Sequence, residues 1–92
     1  MKNVRVHLIV EGRVQGVWFR ESTRIKATKL EITGWVKNRS DGSVEIIAEG
    51  LEANVRKFVE WCHEGPSKAA VTEVKESPQK FINEYDSFNI VF

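Results

Sequence analysis

Val4, Val6, Leu8 and Val10 alternate with Arg5, His7, Ile9 and Glu11, the period of a strand half buried against a core. The alternation predicts a first strand over 4–10. A loop over 12–19 follows. Residues 20–30 contain neither Pro nor Gly and set Thr23, Ala27 and Leu30 on one helical face, which predicts a helix of moderate amphipathicity. Alternation returns over 32–38 and 43–49, on either side of Ser40-Asp41-Gly42. Asp-Gly signals a two-residue hairpin loop, yet that register pairs Val36 with Ile47 and turns Val44 and Ile46 to the opposite face. A three-residue loop, Ser40 to Gly42, pairs Val36 with Ile46 and Asn38 with Val44. It gathers the apolar set on one face and asks for Gly42 in the left-handed conformation.

Leu51, Val55, Phe58, Val59 and Cys62 form one apolar stripe and predict a second helix over 51–63, with Gly65-Pro66 as its stop. Residues 69–74 read as a weaker strand. Residues 76–87 read as loop, because Pro78 cannot donate to the ladder of a central strand. Phe88, Ile90 and Phe92 alternate as a short terminal strand. The order strand–helix–strand–strand–helix–strand, with the terminal strand added, predicts one α+β domain over 1–92. Its plan is a ferredoxin-like sandwich: an antiparallel sheet with two helices on one face. In that plan the first and second strands run the same way, joined by a right-handed crossover. Their ends, and with them Arg20 and Asn38, become neighbours.

The chemistry concentrates where the first strand gives way to the first helix, in Gly12-Arg13-Val14-Gln15-Gly16-Val17-Trp18-Phe19-Arg20. Two glycines permit a sharp turn and close approach to a ligand. Free N–H groups and the helix dipole favour an anion at such a junction. Arg20 adds a planar fork of donors suited to phosphate or carboxylate. The stretch reads as an oxyanion cradle, not as a Walker loop, since no Gly-Lys-Ser/Thr follows. Taken alone, the loop equals an ordinary turn, Arg20 a solvated helix-start residue and Asn38 a residue flanking a hairpin. Their pairing raises the functional reading.

Fourteen basic against 13 acidic residues leave a net charge of +1, which argues against nucleic-acid binding through bulk positive charge. Apolar runs fall well short of the roughly 20 residues of a membrane span. The N-terminal residues lack a signal-peptide pattern, and the single cysteine forms no internal disulfide, so a cytoplasmic location is expected. Asn38-Arg39-Ser40 matches a glycosylation sequon that has no use in that compartment. Cys62, His63 and His7 do not make metal-ligand spacing, Cys62 reads as core, and Trp35 and Trp61 read as packing residues.

Gly12-Arg13-Val14-Gln15-Gly16-Val17, then Phe19-Arg20, together with Thr33-Gly34-Trp35-Val36-Lys37-Asn38 and Asp41-Gly42-Ser43-Val44-Glu45, resemble the motifs of the acylphosphatases. Gly65-Pro66 and Phe88-Asn89-Ile90 are similar to the family as well, so the resemblance spans essentially the whole chain. It implies hydrolysis of the carboxyl–phosphate bond of acyl phosphates, without metal, cofactor or phosphoenzyme. It implies that Arg20 binds the phosphoryl group together with the backbone amides of Gln15, Gly16, Val17, Trp18, Phe19 and Arg20, and that Asn38 positions the attacking water. Trp18 stands where the family varies. The partners implied are a small acyl phosphate, neither nucleic acid nor membrane, and a monomeric chain. The alternative is a non-catalytic ferredoxin-like module, phosphate-binding or regulatory. An RNA-binding version needs aromatics on a central strand, which residues 43–49 lack.

Overall fold

The computed structural model describes residues 2–92. In chain order the elements are β1 (Asn3–Arg13), α1 (Phe19–Lys29), β2 (Thr33–Asn38), β3 (Val44–Leu51), α2 (Glu52–Glu64), β4 (Ala70–Gln79) and β5 (Phe88–Ile90). One five-stranded sheet has the order β4-β1-β3-β2-β5. Both β1 and β2 pair antiparallel with β3, so they run in the same direction and end at the same end of the sheet. The expected ferredoxin-like plan is met, with one correction. The sheet is mixed and not purely antiparallel, because β5 lies parallel to β2.

The apolar alternation sets the core. Val6, Leu8 and Val10 of β1, Val36 of β2, and Val44, Ile46 and Ala48 of β3 are buried beneath Phe19 and Ala27 of α1 and Val55, Phe58, Val59 and Cys62 of α2. Helix α1 lies against β2 and β5, and α2 against β4, β1 and β3. The hairpin register is the one that keeps the apolar residues together: Val36 faces Ile46 and Asn38 faces Val44. Gly42 has φ of 92°, and the Arg39 N–H bonds the Ser43 carbonyl at 2.8 Å, closing the Ser40–Gly42 loop. Asp41 stiffens it by accepting from the Ser43 amide at 3.0 Å and from the Ser43 hydroxyl at 2.6 Å, which holds its carboxyl below the usual carboxylate range.

Three expectations need correction. Strand β4 continues past residue 74 to Gln79 and includes Pro78, paired with Val6. A proline is tolerated there because β4 is an edge strand whose outer side needs no donor. Phe92 lies beyond β5 and is 97% exposed, so only Phe88 and Ile90 of the terminal alternation belong to the strand. Strand β1 runs on to Arg13, so the loop is shorter than 12–19 and Gly12 sits in the ladder. It marks a register shift against β4, and a Cβ on it would stand 2.2 Å from the Ala70 carbonyl oxygen. Gly12 therefore serves strand pairing, not a ligand.

The sheet face away from the helices carries Glu49, 1% exposed. Its carboxylate accepts from the backbone amides of Ile82 at 3.0 Å, Asn83 at 3.2 Å and Glu84 at 3.3 Å. Arg5 reaches the same carboxylate at 3.4 Å. One buried charge thus secures the segment that carries the chain from β4, at one edge of the sheet, to β5 at the other.

Candidate active site

Because β1 and β2 end together, the segment leaving β1 and the end of β2 meet. The connection from β1 to α1 is shaped by an alternation of its own. Val14, Val17 and Phe19 are buried, at 1%, 4% and 1% exposure, whereas Gly16 and Trp18 stand in the open. The buried side chains anchor the loop and leave its intervening backbone on display. Gly16 has φ of 72°, and no atom outside its own chain neighbours comes within 4 Å of where a Cβ would stand. Of the two motif glycines, this is the one with open space around it.

Helix α1 begins one residue earlier than its pattern predicts. Trp18 is the N-cap, in a left-handed conformation with φ of 65°, and makes no side-chain cap hydrogen bond. The first helical bond runs from the Ser22 N–H to the Trp18 carbonyl at 3.0 Å. The amides of Phe19, Arg20 and Glu21 therefore have no acceptor within the helix. Amides without a cap at the positive end of a helix dipole are what an anion requires. Glu21, the one acidic residue of that first turn, is engaged by Arg24, whose guanidinium holds its carboxyl below the usual range.

Arg20, Asn38, Gly16 and Trp18 line one cavity of about 380 Å³, together with Ile90 and Phe92. Among the described residues Arg20 has no carboxylate partner, and its guanidinium lies over the Phe92 ring, 5.1 Å from the centroid. Stacking of this kind occupies the flat face of the group and leaves its edge of N–H donors available. Asn38 contributes a second free valence. Its side-chain oxygen is buried and has no hydrogen-bond partner among the described residues. An orphaned buried acceptor costs about 1–3 kcal/mol, so a ligand or water that donates to it is favoured.

The two pieces of the site are also tied together. The Gln15 side-chain amide donates to the Arg39 carbonyl at 2.8 Å and to the Ser43 carbonyl at 2.9 Å, both in the loop that follows Asn38. This brace was missed in the sequence, where Gln15 counts only through its backbone amide; a long polar side chain between two buried valines is the signal that could have found it. The unpaired Glu21 amide was missed as well, because only the amides of the motif as far as Arg20 were counted. A larger cavity of about 670 Å³ lies at the other end of β1, between α2 and the last residues of β4. Its Arg5 guanidinium is already committed to Gln79, Glu49 and Glu84.

Among the described residues no helix is long and apolar enough to cross a membrane. The acylphosphatase family model matches residues 6–90. The chain is 45% identical over 92 residues to an acylphosphatase of Pelotomaculum thermopropionicum, with all of both chains covered. It is 49% identical over 84 residues to one of Marinobacter nauticus, covering 91% of each. The crystal structure of the acylphosphatase from Bacillus subtilis superposes with a TM-score of 0.93 at 40% identity, over 97% of this chain and 99% of that one. Motifs, fold and relatives agree over almost the full length, and the chain belongs to the acylphosphatase family.

Proposed function

We propose that Arg20 and the amides of Gln15, Gly16, Val17, Trp18, Phe19 and Arg20 hold the phosphoryl group of an acyl phosphate while Asn38 holds the attacking water. The observation that carries this reading is the Asn38 oxygen, buried without a partner in the cavity that also contains Arg20. That oxygen accepts one proton of the water in a hydrogen bond and aims its lone pair at phosphorus. An amide is too weak a base to deprotonate water, so the second water proton passes to a phosphoryl oxygen of the substrate. The water oxygen bonds to phosphorus as the bond from phosphorus to the acyl oxygen breaks, and the electron pair leaves with the carboxylate. Products are the carboxylate and inorganic phosphate. A carboxylate is a good leaving group, so positioning and charge stabilisation suffice, as in phosphoryl transfer generally.

The substrate is a small acyl phosphate, and in this reading neither nucleic acid nor membrane takes part. In this reading the chain acts as a monomer, with Gly16, Trp18, Phe19, Arg20 and Asn38 lining one cavity. A cytoplasmic setting agrees with the lone, buried, reduced Cys62.

Phosphate release from benzoyl phosphate, measured for the wild type beside Asn38→Ala, tests the assignment. The expected result is a loss of about 10²–10³ in kcat, the typical cost of removing one preorganised polar group, with inorganic phosphate still bound. Phosphate binding with no turnover in the wild type would instead make the chain a binding module.

A further inference from the structure

Trp18 combines two properties that seldom coincide. It is a bulky non-glycine residue with φ of 65°, and its side chain is 74% exposed. A left-handed conformation is unfavourable for such a residue, and here little burial offsets it. Strain held at the mouth of a site points to use of the side chain by a ligand. The cavity shared with Arg20 and Asn38 has Trp18 and Phe92 as its two large exposed apolar side chains.

In-line displacement adds a direction. The water sits on the buried Asn38 oxygen, so the leaving carboxylate departs on the opposite side of phosphorus, away from that buried floor and towards the exposed rim. We infer that Trp18, with Phe92, receives the acyl group there, and that this enzyme selects acyl phosphates with aromatic or bulky apolar acyl groups over short or polar ones. The inference rests on the phosphoryl and water assignments above. The cradle grips only what all acyl phosphates share, so discrimination among them falls to the rim.

The test compares kcat/KM for benzoyl phosphate and acetyl phosphate in the wild type, Trp18→Asn and Trp18→Phe. Asparagine tolerates the left-handed conformation and removes the ring; phenylalanine keeps an apolar ring. Taking the ratio of the two substrates cancels any change in the shared cradle. The benzoyl-to-acetyl ratio is expected to fall about fivefold in Trp18→Asn, through KM for benzoyl phosphate, and to stay within about twofold of wild type in Trp18→Phe, as aromatic contacts of this kind support. An unchanged ratio in Trp18→Asn overturns the inference. A second measurement needs no variant: benzylphosphonate should inhibit the wild type about fivefold more tightly than methylphosphonate, and equal inhibition overturns the inference as well. If the wild type hydrolyses neither substrate, the hydrolytic reading fails, and the phosphonate comparison still decides for or against the rim.

Discussion

The side-chain amide of Gln15 donates to the Ser43 carbonyl at 2.9 Å, and its second N–H reaches the Arg39 carbonyl at 2.8 Å. One residue thereby fixes the separation between the loop leaving β1 and the hairpin end that carries Asn38. Each neutral bond contributes about 1 kcal/mol to stability, and small misplacements of reacting groups are costly in rate. Gln15→Ala is expected to lower kcat/KM about tenfold and to reduce thermal stability measurably. Gln15→Glu should be worse on both counts, because its carboxylate would face two carbonyl oxygens. Wild-type kinetics in the alanine variant would show the brace to be idle.

Arg20→Lys keeps the charge but loses the fork of donors and the flat face over Phe92. Removal of one preorganised donor costs about 10²–10³ in rate, and this change removes more than one. The expected loss in kcat/KM is at least about 10²-fold, with weaker inhibition by inorganic phosphate. Steady-state turnover of benzoyl phosphate measures the first, and competition by phosphate the second. Near-normal turnover would contradict the role given to Arg20.

Glu49 is a buried carboxylate that satisfies three backbone amides, so Glu49→Gln trades an acceptor for an amide group that donates into other donors. Breaking such an arrangement costs about 2–4 kcal/mol, which for a domain of this size lowers Tm by about 10 °C or more. Calorimetry of the variant provides the check. A melting temperature within a degree or two of wild type would mean that the carboxylate does not hold the crossing segment.

Burial of Cys62 pushes its thiol well above the ordinary range, and the side chain has no exposed surface. Thiolate is the reactive form, so Ellman's reagent should leave the native protein unmodified and label it stoichiometrically in denaturant. Labelling of the native chain at the rate of a free thiol would place Cys62 outside the core.

The hairpin register was legible because Val36, Val44 and Ile46 have to share a face, and only one loop length allows it. Helix α2 was legible from its stripe. The length of β4 was not, because Pro78 forbids a central strand but not an edge strand, and position within the sheet is a property of topology. The same ambiguity hid the need for Gly12, whose constraint comes from Ala70, far along the chain. Local motifs named Arg20 and Asn38 as the pair to watch, and the structure places both on one cavity. The Glu49 anchor could not be read, and the partners of the Gln15 brace could not be named, since each joins a side chain to backbone distant in sequence.

The arrangement of the sheet also bears on how the protein behaves when concentrated or stressed. An exposed strand edge is a template for pairing with another molecule, and both edges here are blunted. On one side β4 carries Glu73, Lys75 and Glu76 and is interrupted by Pro78, which has no N–H to offer. On the other, β5 spans three residues, Phe88–Ile90, too few to recruit a long partner strand. The crossing segment that Glu49 secures is what brings β5 over the side of β2. Losing that anchor would leave β2 as the outermost strand, so Glu49→Gln should promote fibrillar self-association, with activity falling alongside it because Ile90 and Phe92 line the Arg20 cavity.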